Sequence, residues 1–303
     1  MVIIKRNFRQ KHLLAIPCCV LISSFCSSYI YASNLYMGVD SYEYVTEVDK
    51  IKLDYRLAGG AIGGEVDIGE STFFQFGVGR WSDDIDLVDS GNSEITSSLR
   101  RVGAGYSFGN WGFFASYQKI EDEIEIVHGK NQEFFTSAEI KSAVTHVDVS
   151  YQWEVGLWAH TVLFGVQDDK KDVDAELGDP KMHLSESSDF RYVNIKLNTD
   201  YYFYLSDTSG VFAGVSLDWY DQVSGGSDDE NVGVSPPPPP PNGGGGTGGG
   251  GNGTATTGDS GGLIGFYIIY DIDTHWSVDV NMTQGAFGDA DLNSYSLTLT
   301  YGL

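Results

Sequence analysis

The last ten residues of the chain, SYSLTLTYGL, alternate without a break. Tyr295, Leu297, Leu299, Tyr301 and Leu303 share one parity; Ser294, Ser296, Thr298, Thr300 and Gly302 share the other. A period of two marks a strand with one apolar and one polar face. The pattern recurs upstream. In 188–204, Val193, Ile195, Leu197, Tyr201 and Phe203 oppose Tyr192, Asn194, Lys196, Asn198 and Asp200. In 211–219, Val211, Ala213, Val215, Leu217 and Trp219 oppose Phe212, Gly214, Ser216 and Asp218. In 275–283, Trp276, Val278, Val280 and Met282 oppose Ser277, Asp279, Asn281 and Thr283. In 143–154, Val147, Val149, Tyr151 and Trp153 oppose His146, Asp148, Ser150 and Gln152. Segments 157–166 and 262–270 are ambiguous by parity, and no persistent period of 3.6 follows the first thirty-three residues.

These patterns predict about twelve strands: 35–46, 52–68, 72–88, 94–108, 111–126, 138–154, 157–172, 188–204, 211–224, 261–272, 275–287 and 291–303. Short links rich in Gly, Asn and Asp join alternate pairs at 69–71, 109–110, 155–156, 206–210 and 273–274, as hairpin turns do. Longer or more polar links fall between them at 89–93, 127–137, 173–187 and 225–260, while 47–51 and 288–290 are short links on that same side. Short turns on one side and long loops on the other is the pattern of a transmembrane barrel, and an even strand count puts both termini on the short-turn side.

A soluble sandwich would also alternate, with its apolar face inward. The charges and amides on the polar faces favour the opposite arrangement, because a dry core does not accept them unpaired. The fold expected is an all-β transmembrane antiparallel up-and-down barrel, apolar outside and polar within. Segments 72–88 and 111–126 exceed the roughly 9–11 residues a tilted strand needs to cross a bilayer. Their distal halves turn acidic (Asp83, Asp84, Asp86, Asp89; Glu121, Asp122, Glu123, Glu125), which predicts a wall projecting above the membrane. Aromatics gather near the short turns: Phe108, Trp111, Phe113, Tyr151, Trp153, Trp158, Tyr201, Phe203, Tyr204, Tyr270, Trp276 and Tyr301. They mark an interfacial girdle.

The N-terminus reads as a secretory signal peptide. Lys5, Arg6, Arg9 and Lys11 form a basic region, Leu13 to Ile22 an apolar one, and Ala32 the cleavage point. The domains expected are thus a signal over 1–32 and a barrel over 33–303. All three cysteines (Cys18, Cys19, Cys26) lie in the signal, so the mature chain has no disulfide. Four of the 18 basic residues and none of the 42 acidic ones lie there too, leaving 14 against 42 and a formal charge of −28. That excludes nucleic acid as a natural partner.

The signal, hairpins such as RVGAGYSFGNWGFFASYQ (101–118) and the terminal YSLTLTYGL together resemble bacterial outer-membrane β-barrel proteins, a porin-like superfamily of Gram-negative cells. Tyr295, Leu297, Leu299, Tyr301 and Leu303 are similar to the assembly signal of that superfamily, although its members usually end on Phe or Trp. The resemblance implies an outer-membrane location with periplasmic termini. It also implies outer-membrane lipid, lipopolysaccharide and the barrel-assembly machinery as partners.

For chemistry, the candidate pore-lining residues are Asp40, Glu65, Asp67, Arg101, His146, Asp148, Lys196, Asp200, Asp218 and Asp279, with Glu154 beside them. Acids outnumber bases, so an open lumen would favour small cationic solutes. The first function expected is a narrow, cation-biased channel. The second is a non-conducting surface barrel for adhesion or envelope integrity, its lumen plugged by Tyr36, Tyr42, Phe114, Tyr192, Phe212 and Tyr220. An enzyme ranks third. Asp83, Asp84 and His183 supply no more than the ingredients of an omptin-like protease, and His146 with Ser150 those of a phospholipase-like barrel. His160 and His275 read as interfacial. No cofactor, catalytic residue or metal-ligand spacing is assigned. The segment DDKKDVDAELGD (168–179) reads as an acidic loop able to hold divalent cations, and Ser235 to Gly262 as a low-complexity surface loop.

Overall fold

In the computed structural model, the described residues are 30–48, 51–69, 71–87, 91–128, 135–177, 182–205, 209–225, 260–288 and 293–303. They form twelve strands and contain no helix. These are β1 (Ile30–Val48), β2 (Ile51–Ile68), β3 (Thr72–Leu87), β4 (Gly91–Phe108), β5 (Trp111–His128), β6 (Phe135–Val155), β7 (Trp158–Leu177), β8 (Met182–Leu205), β9 (Gly210–Gly225), β10 (Ser260–Asp271), β11 (Trp276–Gly288) and β12 (Asn293–Gly302). Each pairs antiparallel with its sequence neighbours, and β1 pairs with β12, from Asn34↔Gly302 to Tyr42↔Ser294, to close the barrel. The terminal alternation is explained by this closure. The last strand hydrogen-bonds the first along its whole length, leaving no open edge.

All twelve predicted strands are present; the differences lie at the loop ends. The segment read as an acidic loop is ladder instead: β7 runs on to Leu177 and pairs with a β8 that starts at Met182. Strand length is consequently uneven, 10 residues in β12 and 24 in β8. β12 has about the length a tilted strand needs to cross a bilayer, while β4 to β8 continue well beyond it. Residues 1–29, which hold most of the expected signal peptide, and 226–259, which hold most of the Pro/Gly segment, lie outside the described residues.

At the rim formed by the short turns, Gly69, Gly109 and Gly156 take φ values of 70°, 58° and 65°. L-residues disfavour this left-handed region, hence glycine in these tight reversals. Three cross-strand aromatic pairs stand at the same rim: Trp111 with Tyr151, Trp158 with Tyr201 and Trp276 with Tyr301, with ring centroids 4.8, 4.7 and 4.7 Å apart. Tyr204 has no described side chain.

Above this rim the outer surface is apolar. Met37, Val39, Val78, Val102, Val147, Phe164, Val215, Phe266, Val280 and Leu297 are all exposed. An exposed apolar belt that encircles a closed barrel faces hydrocarbon, not water. The ambiguous strands follow it, with Phe164, Val166, Phe266 and Ile268 outward and Leu163, Gly165, Gly265 and Ile269 inward.

The pattern then reverses. On β5 the outward row reads Trp111, Phe113, Ala115, Tyr117, then Lys119, Glu121, Glu123, Glu125. Its inward row reads Gly112, Phe114, Ser116, Gln118, then Ile120, Asp122, Ile124. β6 does the same, with inward His146 and Asp148 giving way to Val144, Ile140 and Ala138. A polar interior therefore holds only for the membrane-height half. In the projecting half, water lies outside and the apolar residues turn in, forming a core of Tyr42, Tyr55, Leu57, Trp81, Ile95, Leu99, Ile120, Ile124 and their neighbours.

Candidate functional site

Every predicted pore-lining residue has inward parity. Five come together across β4, β6, β8 and β9. Lys196 stands directly opposite Asp218, and its charge also acts on Asp148. Arg101 acts on Asp148 too, and His146 Nδ1 lies 3.3 Å from Asp148 Oδ2. His146, Asp148 and Asp218 are buried. A second chain of contacts joins Glu65 to this group. Gln75 donates to Glu65 at 2.7 Å, Arg101 Nη2 donates to Gln75 at 3.4 Å, and the guanidinium lies 5.6 Å from the Phe114 ring centroid. Asp40 accepts from the Trp81 indole and Asp200 from the Tyr267 hydroxyl. Asp67 adds its charge beside Glu65, and Asp279 adds its own beside Tyr267.

Bulky inward side chains lie down over inward glycines. A Cβ on Gly63 would meet the Tyr36 hydroxyl at 2.2 Å, and one on Gly105 would meet the Phe73 ring at 2.0 Å. Tyr36 also donates to the Phe76 carbonyl at 3.2 Å. The glycines thus make room for aromatic rings inside the wall. Of the expected plug residues, Tyr42, Phe114, Tyr192 and Tyr220 are buried, whereas Tyr36 and Phe212 are half-buried.

In the projecting half, Tyr55 and Tyr220 have 0% of their surface exposed, as do Leu57 and Ile95. Tyr55 reaches across β3 to the Ser93 hydroxyl at 2.7 Å. Buried with this core are three charged groups that sequence reasoning did not assign to an interior: Asp122, Asp169 and Lys171. Burial pushes each carboxyl up to about 6 and the Lys171 ammonium down to about 8, and their opposite charges offset part of each shift. Below pH 4 Asp122 is protonated whether the chain is folded or not. Between pH 4 and 6 the unfolded chain ionises first, so folding loses stability as pH rises through that window. Two pKa units correspond to about 3 kcal/mol. Asp122→Asn is expected to flatten the fall in unfolding free energy between pH 4 and 7, read by urea titration in detergent.

The enzyme ingredients do not converge. Asp83 points inward and accepts from the Arg56 backbone N–H at 2.6 Å, while Asp84 points outward. His183 is on β8, five strands away from β3, facing Glu176 of β7. His146 and Ser150 both face the interior, two places apart on one strand face. Among the described residues no three His, Cys, Asp or Glu side chains converge as a metal site.

No protein-family model matches the chain, and no curated protein sequence matches it. Solved structures do. The chain is similar to the translocator domain of the autotransporter NalP from Neisseria meningitidis, with TM-score 0.59, 12% identity, and coverage of 89% of this chain and 88% of that one. It is also similar to the beta domain of the Bordetella autotransporter Brka, with TM-score 0.61, 10% identity, and coverage of 90% and 100%. At such identities the likeness carries the fold alone, the closed antiparallel β-barrel described above.

Proposed function

We propose that the chain is an outer-membrane barrel with both termini toward the periplasm and a closed interior. It serves as a non-conducting, surface-projecting element of the envelope, in adhesion or envelope integrity. The observation that carries this reading is the distal core. Residues that would line a water path in an open channel, Tyr55, Leu57, Ile95 and Tyr220, are at 0% exposure. The orientation rests on the short turns, the aromatic girdle and the acidic projecting wall, which belongs on the wet outer face. The outward row Tyr295, Leu297, Leu299, Tyr301 and Leu303 supports delivery by the barrel-assembly machinery after removal of the signal.

Planar-bilayer recording of the folded protein tests the reading. We expect no single-channel steps under a KCl gradient. Steps with a reversal potential favouring cations would replace it with a narrow porin-like channel for small cations. The acids Asp40, Glu65, Asp67, Asp200 and Asp279, all half-buried rather than sealed, support that second reading. In that event Asp218→Asn with Asp279→Asn should reduce the cation preference.

A further inference from the structure

Inside the projecting half, three charges are shut in together. Asp122, Lys171 and Asp169 keep 1%, 5% and 2% of their surface. Their inward neighbours on the ladders are Ile120, Ile124, Ile140, Val144 and Val173 of the distal core. The other buried carboxylates, Asp148 and Asp218, belong to the membrane-height half. The registers fix the order of the three. Lys171 is the direct partner of Ser142, and Ser142 of Ile120, which is one inward place below Asp122 toward the short turns. Asp169 is one inward place below Lys171 on β7. The ammonium thus stands between the two carboxyls in height, and its charge acts on both. Asp122 is two strands away, but inward side chains of a closed barrel converge, and lysine has a four-carbon stem.

A lysine between two acids is ordinarily an ion pair, and two features carry this one further. Burial holds both acids up at about 6 and the ammonium down at about 8, so a carboxylic acid and a free amine coexist there at little cost near neutral pH. An uncharged amine is a nucleophile. The groups that acyl transfer needs are also in place. Ser97 stands directly opposite Asp122, where its hydroxyl can donate to the carboxyl. Asp169 Oδ1 accepts no hydrogen bond and is free to take a proton. Charges in a dry core are costly, and their conversion to an amide removes that cost.

We infer that Lys171 and Asp122 join in an intramolecular amide bond that staples β5 to β7 across β6. Asp169 takes a proton from the Lys171 ammonium, and the freed Nζ attacks Asp122 Cγ while Ser97 holds the carboxyl oxygen. A C–N bond forms and the C–OH bond breaks. Asp169 returns its proton to the departing hydroxyl, which leaves as water, and then takes up the second proton released from the nitrogen. The products are an uncharged amide, one water and a neutral Asp169. The fold supplies the proximity, so the bond forms in the folded chain alone. Closure takes Asp122 and Lys171 out of titration, and the pH dependence given above for Asp122 belongs to chains still open. The bond rests on the distal core, not on the membrane orientation or on whether the lumen conducts.

The test is the intact mass of the full chain folded in detergent, set against the same chain kept in denaturant throughout. The folded wild type is expected to be lighter by one water, and its protease digest to contain a branched peptide joining the Asp122 and Lys171 segments. Lys171→Arg keeps the charge without the amine and is expected to lose no mass. Lys170→Arg, on the outward face of the same strand, is expected to lose water as the wild type does. Asp169→Asn is expected to close about a hundredfold more slowly. An unchanged mass for the folded wild type would overturn the bond. So would a water loss that persists in Lys171→Arg, or a branch at any residue other than Asp122. Closure of Asp169→Asn at the wild-type rate would overturn the proton transfer assigned to Asp169. The wild-type comparison stands even if a variant does not fold, because folding is read separately by circular dichroism.

Discussion

Replacing Lys196 by Met is expected to destabilise the folded barrel by about 3 kcal/mol, the cost of leaving a buried charge without its partner. Asp218 lies directly opposite Lys196, and Asp148 shares its charge with Arg101 and Lys196. Both carboxylates are buried. In Lys196→Met, Asp218 loses the counter-charge facing it, and Asp148 keeps Arg101 alone. Unfolding by urea from detergent or lipid vesicles should show the loss. Lys196→Arg should restore most of it, since it keeps the charge. The double variant Lys196→Met, Asp218→Leu should also recover, because it removes the orphaned carboxylate. A single variant as stable as the wild type would mean that water reaches these groups freely. That result would favour an open lumen.

Hollowing the distal core should have an effect of similar size through a different term. Leu57→Ala and Ile95→Ala each remove a fully buried aliphatic side chain. A cost of about 2–5 kcal/mol apiece is expected, made of lost transfer free energy and the cavity left behind. The same pair discriminates the functional readings. If the core seals the lumen, the double variant should show steps in planar bilayers where the wild type is silent. If it conducts no better, the seal lies elsewhere. Neither residue touches the lipid-facing belt, so insertion into vesicles should be unchanged.

The membrane-height half of the fold was legible by parity, because side chains alternate on a strand and lipid tolerates only one kind of face. That parity also puts the ten candidate residues on the polar row of their strands, and aromatic pairs stand at the short turns. The projecting half was not read correctly, although its signal was present. In WGFFASYQKIEDEIEIVH (111–128) the apolar parity changes after Gln118, from odd positions to even ones such as Ile120 and Ile124. Assuming one phase per strand hid the distal core and sent Asp122 to the surface. It also turned the Asp172–Leu177 stretch of β7 into a loop, since its charges sit on the outward parity and its Val173 and Ala175 on the inward one.

Strand number, turn positions and the outer apolar face follow from the sequence alone, because they depend on local alternation and on residues that favour tight reversals. Which charges meet is another matter. Lys196 and Asp218 lie 22 positions apart, and Arg101 and Asp148 lie 47 apart. Their encounter depends on the register of the ladders and the closure of β1 on β12, which no local pattern encodes.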